Sequence, residues 1–316
     1  MPERYYSLKQ FLTGKFGEKV YKISIDAGFS CPNRDGTIGR DGCIFCSPRG
    51  SGDFAGNPAL SIKEQLYNSH KGIIELSEKH GINKYIAYFQ AYTNTYAPIN
   101  ELREKFFEAI SVPGVVGIAI ATRPDCLSPE VINLLNQLSR ETYVWVELGL
   151  QTTHEETASK ICRGYPLSVF EKAVKDLNEI EIDIVCHMIL GLPGESKAQM
   201  LESIKYLSNK KLQGIKLHLL HVIEGTPLAQ MYINGAFKTL SIDEYAQIVV
   251  DCLELLPPNL VIHRLTGDGP KNTLIAPQWS KNKREVLNHI EKELSSRNTC
   301  QGRLYKPDIK IKQESV

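Results

Sequence analysis

Three thiols stand close together near the start of the chain. In SCPNRDGTIGRDGCIFCSPRG, residues 30–50, Cys31, Cys43 and Cys46 fall within sixteen residues, while Cys126, Cys162, Cys186, Cys252 and Cys300 stand apart. Thiolates are soft ligands that suit zinc, cuprous copper or iron–sulfur clusters. A structural zinc takes four ligands. No second C-x2-C pair exists, and His70, His80 and Cys126 stand at no motif spacing for a fourth. A cube of iron and sulfide held by three cysteines leaves one iron open, as a catalytic zinc keeps one position open. Unligated loop thiols and zinc are the plainer readings. Clustered thiols in a chain with no visible export signal favour the cube. Glycines 36, 39, 42, 50 and 52 let the backbone wrap closely, and Phe45 is expected to shield the cluster from water. Cys186 and Cys252 read as small apolar core residues.

Composition narrows the chemistry less. The chain has 316 residues, 42% of them apolar, enough for a sizeable core. The formal net charge of +1 is not that of an obvious nucleic-acid or membrane binder. No run of about 18 apolar residues is present to span a bilayer. MPERYYSLKQFLTGKFG lacks the apolar centre of a signal peptide, so a cytoplasmic location without a membrane partner is expected. From Lys271 to Lys312, ten Lys or Arg stand against four Asp or Glu. A solvated helix face is the plain reading of that excess; a phosphate-bearing partner is the sharper one.

The elements that must position the cysteines recur as strand then helix. Strands are expected at 21–27, 84–90, 115–123, 143–151, 182–190 and 214–221, and helices at 61–80, 99–110, 128–139, 166–179 and 196–209. Ser61, Asn100, Ser128 with Pro129, Ser168 and Ser196 stand at helix starts. This alternation implies a parallel sheet with helices outside, curling by right-handed crossovers toward a barrel. Each strand has one apolar face and one polar or small face. In YVWVELGLQ, residues 143–151, Val144, Val146, Leu148 and Leu150 oppose Tyr143, Trp145, Glu147, Gly149 and Gln151. The apolar faces belong under the helices. Lys22, Ser24, Asp26, Arg123, Glu147, Gln151, His187, Lys216 and His218 are then expected to line the interior. So polar a lumen implies a wet, incompletely closed barrel of about six strands. The fold class is α/β, a partial (β/α)6 TIM-like barrel with a C-terminal extension. Small molecules belong at the C-terminal ends of the strands, where the cysteine loop, residues 28–53, emerges.

A cysteine triad ending in C-x2-C after the first strand of such a barrel resembles the radical S-adenosylmethionine (SAM) superfamily. The widened spacing resembles the branch containing the elongator catalytic subunit. YFQAYTNTYAP, ATRPDCL, VELGLQT, MILGLPGE and TGDGPKNTLIAPQWSKNKREVL together resemble the YhcC/YtqA-type family, over about Tyr5 to Leu294. The resemblance implies a 4Fe-4S cluster on Cys31, Cys43 and Cys46, SAM on its open iron, and an electron donor such as flavodoxin or ferredoxin. Reductive cleavage of the S–C5′ bond then yields a 5′-deoxyadenosyl radical that takes hydrogen from the substrate. Gln90 and Tyr92 lie where many relatives carry Gly-Gly-Glu, and are placed at the SAM amino group. Arg123 or Arg163 is placed at its carboxylate. Glu147 and Gln151 are placed at the ribose or methionine moiety, and His187, Leu190, Gly191, Leu192 and Val222 around the adenine. Plainer readings stand beside these. Arg123 has a partner in Asp125, Gly191 to Gly194 reads as a turn, and His187, His218 and His221 read as structural histidines.

Residues 1–258 read as the barrel core with an N-terminal arm, and 259–316 as an extension with a basic helix from about Ser280 to Leu294, followed by a tail. Leu287, Ile290 and Leu294 recur at helical spacing and are expected to dock that helix. Asp268 stands between glycines, in a loop suited to cover the mouth of the barrel. Lys216, His218, Asp268, Lys271, Trp279, Lys281, Lys283 and Arg284 are the candidate substrate contacts. Trp279 reads as a docking residue or as a platform for a base. The elongator-like resemblance implies tRNA as the partner and the C5 side chain of a wobble uridine as the substrate. Conversion of carboxymethylaminomethyl to aminomethyl on a flipped base is a concrete version. A small-molecule substrate, or a non-catalytic RNA-binding protein with a structural metal, are the competing readings.

Overall fold

The structure is a computed structural model that describes residues 3–68 and 72–307. His70 and the expected tail from residue 308 onward lie outside the described residues. Six strands, β1 (Val20–Ile25), β2 (Lys84–Phe89), β3 (Val115–Thr122), β4 (Tyr143–Gln151), β5 (Asp183–Leu190) and β6 (Gly214–Leu219), lie side by side in chain order, all parallel. After the short β7 (Val222–Ile223), β8 (Val261–Arg264) joins β6 as a seventh parallel strand, and β9 (Leu274–Ala276) pairs antiparallel with β7. Helix α1 (Leu8–Phe16) precedes the sheet. α2 (Ile62–Asn68) and α3 (Ile73–His80) follow β1, α4 (Ile99–Ile110) follows β2, and α5 (Pro129–Ser139) follows β3. α6 (Glu155–Lys160) and α7 (Leu167–Glu179) follow β4, and α8 (Lys197–Ser208) follows β5. α9 (Pro227–Ile233) and α10 (Ile242–Leu255) separate β7 from β8, and α11 (Lys283–Ser296) comes after β9. The sheet curls into a half-barrel, the expected partial barrel with one strand more.

Local chemistry explains most helix starts. Ser128 Oγ accepts the Val131 N–H, with Pro129 in the first turn, and Ser196 and Gln199 satisfy each other's backbone N–H groups. Ser61 and Glu64 do the same for α2. α4 begins instead at Ile99 after Pro98, and α7 at Leu167 after Pro166, so a proline's fixed φ sets the entry and not Asn100 or Ser168. The helix expected over 61–80 is two helices, the second capped by Gly72. The sequence reading passes over α10 and β8. α10 buries Tyr245, Ala246, Ile248, Val249, Val250, Cys252 and Leu253 opposite a polar stripe of Asp243, Gln247, Asp251 and Glu254, a helical pattern that periodicity could have found. β8 is four residues long, too short to alternate convincingly.

The apolar strand faces do lie under the helices, where Cys186 and Cys252 are packed. The interior is not uniformly wet. Ile86, Ala119, Ala121, Trp145 and Val185 form an apolar cluster inside the curl, with Leu12 of α1 packed on it. The small residues Gly117, Ala119 and Ala121 of β3 make room for the indole, and Ala119 lies opposite Trp145 across the ladder. α1 touches both β1 and β8, the edge strands that do not pair with each other. The arm before it adds to the β8 edge, where Ile262 N–H donates to Tyr6 C=O at 2.8 Å. Burial of Leu12, 4% exposed, contributes on the order of 2 kcal/mol. Asp26 also departs from the expected lining. It lies one residue past β1, where its N–H donates to Gln65 of α2 at 2.9 Å and its carboxylate accepts the Gly28 N–H at 3.0 Å.

Candidate active site

β1 leads through Asp26 into the cysteine loop, over the C-terminal ends of the strands. Cys46 N–H donates to Cys43 C=O at 3.0 Å, a tight turn that brings the two thiols into hydrogen-bond contact. Asn33 Nδ2 donates to Cys43 Sγ at 3.5 Å and to Cys162 C=O at 2.6 Å, tying the loop to the segment after α6. Arg34 donates to the carbonyls of Cys46 and Ser47, at 3.1 and 2.7 Å. The Cys43 hydrogen bond draws the Cys46 thiol down to about 7 against the cost of burial. The Ser51 hydroxyl and the charges of Arg34 and Arg123 add to that pull. Cys43, the donor of that bond, is pushed well above the usual thiol range, and burial adds to the push. Among the described residues, no three His, Cys, Asp or Glu side chains gather round a single ion. A cube does not need such a gathering, because each thiolate takes its own iron.

The segment after β2 clasps this loop. Gly50, at φ +57°, stands where a Cβ would overlap the Tyr92 ring. Tyr92 N–H donates to Gly50 C=O at 2.9 Å, its hydroxyl to Pro48 C=O at 2.6 Å, and Gln90 Nε2 to Ser51 C=O at 2.9 Å. Gln90 and Tyr92 therefore hold the loop. Asn94, fully buried, donates to the carbonyls of Phe89 and Ala121 at 3.2 and 2.8 Å, while its Oδ1 has no partner. That buried oxygen is an acceptor left without a donor.

The two candidate arginines part company. Arg163, 1% exposed, turns all three of its nitrogens to protein acceptors, Nε to the Tyr165 carbonyl, Nη1 to those of Leu150 and Thr152, and Nη2 to the Glu155 carboxylate. It clamps the end of β4. Arg123 donates Nε and Nη2 to Asp125 at 2.9 and 2.7 Å and Nη1 to Arg163 C=O at 2.9 Å, which leaves two N–H groups over.

Inside the half-barrel, Glu147 is fully buried and ringed by donors. Lys216 Nζ contacts its Oε2, His187 Nε2 lies 2.8 Å from the same oxygen, Lys22 Nζ is 3.6 Å from Oε1, and Trp145 Nε1 donates to Oε1 at 2.9 Å. Lys216 also donates to the Tyr88 hydroxyl at 3.0 Å. Burial works to raise Glu147, but the charges of Lys216 and Lys22 outweigh it and hold the carboxyl well below its usual range. Burial pushes both lysines down, and the charge of Lys22 adds to this at Lys216. The reach toward ribose expected of Glu147 meets a carboxylate with four partners already in place. Tyr88 is a member that the reading of β1, β3, β4, β5 and β6 passes over. Alternation in β2, with Lys84, Ile86 and Tyr88 on one face, is the signal that finds it.

The remaining candidates divide between the mouth and the flank. Gln151 ends β4 at φ +66° beside Gly149. Leu190 is fully buried, and Gly191 turns the chain at φ +89°. Leu192 and Val222 join Ile44, Ile161, Ile189, Leu220 and Ala276 in one apolar cluster with Phe45 packed on it. The ends of β5 and β6 therefore meet the cysteine loop itself. A Cβ at Gly267 or Gly269 would come within 3.1 or 3.4 Å of the His221 ring, so the loop bearing Asp268 lies over the end of β6, close to His218. Asp268 pairs with Lys283 at 2.8 Å and with Arg264 at 3.7 Å. Lys271, Lys283 and Arg284 are exposed and Lys281 is half-buried. Trp279 packs on Tyr245, 5.8 Å between rings, and donates to Leu240 C=O at 3.1 Å, in the layer between sheet and helices. In α11, Val286, Ile290 and Leu294 are buried and Leu287 is exposed, so Val286 takes the docking place expected of Leu287.

Residues 31–207 match the radical SAM superfamily and residues 212–296 its C-terminal domain. The chain is 46% identical to the uncharacterized protein YtqA of Bacillus subtilis, over 99% of this chain and 96% of that protein. It is 35% identical to protein YhcC of Escherichia coli, over 94% of each. It is 26% identical to elongator complex protein 3 of Schizosaccharomyces pombe, over 58% of this chain and 34% of that one. The structure of the archaeal Methanocaldococcus infernus Elp3 with an N-terminal deletion shares the fold, with a TM-score of 0.66 at 19% identity, over 89% of this chain and 64% of that one. No described helix is long and apolar enough to cross a membrane. Three soft thiols with N–H and cationic neighbours, set over the strand ends, suit a 4Fe-4S cluster, and the unpartnered amide oxygen of Asn94 on the adjoining segment suits a bound amine. The chain belongs to the radical SAM superfamily and, within it, to the YhcC/YtqA-type family, and is an enzyme whose cofactors are a 4Fe-4S cluster and SAM.

Proposed function

We propose that this enzyme modifies tRNA, at the C5 side chain of a wobble uridine. The similarity to elongator proteins carries the reading. The basic flank formed by Lys271, Lys281, Lys283 and Arg284, around the loop that covers the end of β6, supports it. When bound, the cluster and SAM supply a radical able to take hydrogen from an unactivated carbon. Cys31, Cys43 and Cys46 would hold the cluster, and Arg123, with two donors to spare, would meet the SAM carboxylate. The apolar cluster of Ile44, Phe45, Leu192 and Val222 excludes water from the mouth, which protects a reactive intermediate.

The test compares modified nucleosides in tRNA from a strain lacking the gene with those of its parent, by liquid chromatography and mass spectrometry. Loss of one modified uridine, or accumulation of its precursor, is expected. An unchanged uridine profile would remove tRNA as the substrate and leave a small molecule in its place.

A further inference from the structure

The open side of the half-barrel is lined by cations. A cavity of ≈ 280 Å³ lies between the N-terminal arm, β1, β8 and the start of α11. Lys9, Lys22, Arg264 and Lys283 line it, and no carboxylate does. Two carboxylates stand just behind the wall. Glu147 faces Lys22 and Lys216, and Asp268 faces Lys283 and Arg264. Four cations thus share two anions, and Lys9 has no ion-pair partner among the described residues. Lys22 and Arg264 have side chains only 19% and 30% exposed, so their surplus charge is poorly solvated. Leaving charge partly desolvated and uncompensated is costly, and an arriving anion relieves that cost.

The cavity adjoins the buried Glu147 cluster. Lys22 forms part of its wall and also pairs with Glu147, whose other partners, Lys216 and His187, face the lumen. Its volume is near the lower end of the roughly 300–1,000 Å³ typical of small-molecule sites. It has room for a substituent and not for a folded partner. A guanidinium flanked by ammonium groups matches the planar or tetrahedral oxygens of an oxyanion.

We propose that this lateral cavity binds an oxyanion carried by the substrate, a carboxylate or a phosphate, between Lys22, Arg264 and Lys283. The proposal rests on the half-barrel being the substrate chamber, and not on the substrate being tRNA. Asp268 then acts as an internal competitor that holds Arg264 and Lys283 until the substrate anion arrives.

Calorimetric titration of the reconstituted protein with inorganic phosphate, and separately with acetate, tests this against chloride at matched ionic strength. One of the two should bind in the low millimolar range, and which one identifies the group. Arg264→Gln with Lys283→Gln should weaken that binding about tenfold or more, as removal of charge-assisted hydrogen bonds requires. Asp268→Asn should strengthen it, an opposite change that a merely structural role would not produce. Iron content and circular dichroism check folding, and Asp268→Asn decides the question if the double variant does not fold. Binding no tighter than chloride for both anions, or an affinity unmoved by Asp268→Asn, overturns the proposal. Because no RNA enters the assay, it stands or falls independently of the nucleoside comparison.

Discussion

His187 Nε2 lies 2.8 Å from the Glu147 carboxylate, and Lys216 reaches the same oxygen from the next strand. An ionised carboxylate only accepts, so His187 carries its hydrogen on Nε2. Five side chains from four strands, Lys22, Trp145, Glu147, His187 and Lys216, are thereby tied across the lumen. Glu147→Gln leaves two buried ammonium groups without a counter-charge and should cost about 3–5 kcal/mol in urea unfolding. Adding Lys216→Met should recover part of that loss. A Glu147→Gln protein as stable as its parent would mean that the cluster does not brace the barrel.

Acid should weaken the fold before the carboxylates titrate. Burial pushes His187 down to about 4, with the charge of Lys216 adding to it and Glu147 opposing. The unfolded chain takes up that proton near pH 6.5. Stability from His187 is therefore complete above pH 6.5 and is lost as pH falls toward 4, by on the order of 2 kcal/mol at pH 5. Burial also holds His221 down to about 4. Urea midpoints at pH 7.5 and 5 measure the drop, and His187→Gln should shrink it. Equal midpoints across this window would contradict the assignment of neutral, buried imidazoles.

The cysteines should separate by position. Cys43→Ala should lose iron and sulfide on reconstitution and release no 5′-deoxyadenosine under dithionite, with the barrel still folded. Cys186 is fully buried between sheet and helices, where burial pushes its thiol up, so Cys186→Ala should load iron normally. Iron analysis decides both, and iron loss in the second variant would count against the facing of β5.

Gly50 joins the cysteine loop to the segment after β2. Alanine there meets the Tyr92 ring in a left-handed backbone conformation, a strain of about 1–2 kcal/mol before any clash. Gly50→Ala should lower iron occupancy with little change in circular dichroism, and Tyr92→Ala in the same chain should restore part of it. Full occupancy in Gly50→Ala would show that the loop is not held against Tyr92.

Replacing Lys281, Lys283 and Arg284 with alanine should weaken tRNA binding and flatten its dependence on salt, because fewer neutralised phosphates release fewer counterions. Filter binding between 50 and 200 mM salt, a range chosen to span roughly the steep part of such curves, measures both. Unchanged affinity and slope would make this flank a solvated surface only.

Local chemistry made much of this legible. The C-x2-C ending names its ligand chemistry from residue types alone, and six parallel strands follow from two-residue alternation between helix signals. Glu147 inside the lumen follows from the same alternation, and its need for partners from the cost of burying charge. The partners themselves did not follow, because Lys22, His187 and Lys216 are distant in sequence and meet only when the sheet curls. Arg123 and Arg163 look alike in sequence, yet backbone carbonyls and a carboxylate occupy every nitrogen of Arg163.

The amino-acid order by itself determined the family and the strand–helix alternation and marked out a cysteine triad, since these depend on residue type and short-range spacing. Tertiary structure alone decided that the curl stops at seven strands, that α1 fills its apolar half, and that cations gather at the open edge between β1 and β8. Those outcomes depend on which side chains fit against one another across long stretches of chain, and no local pattern carries that information.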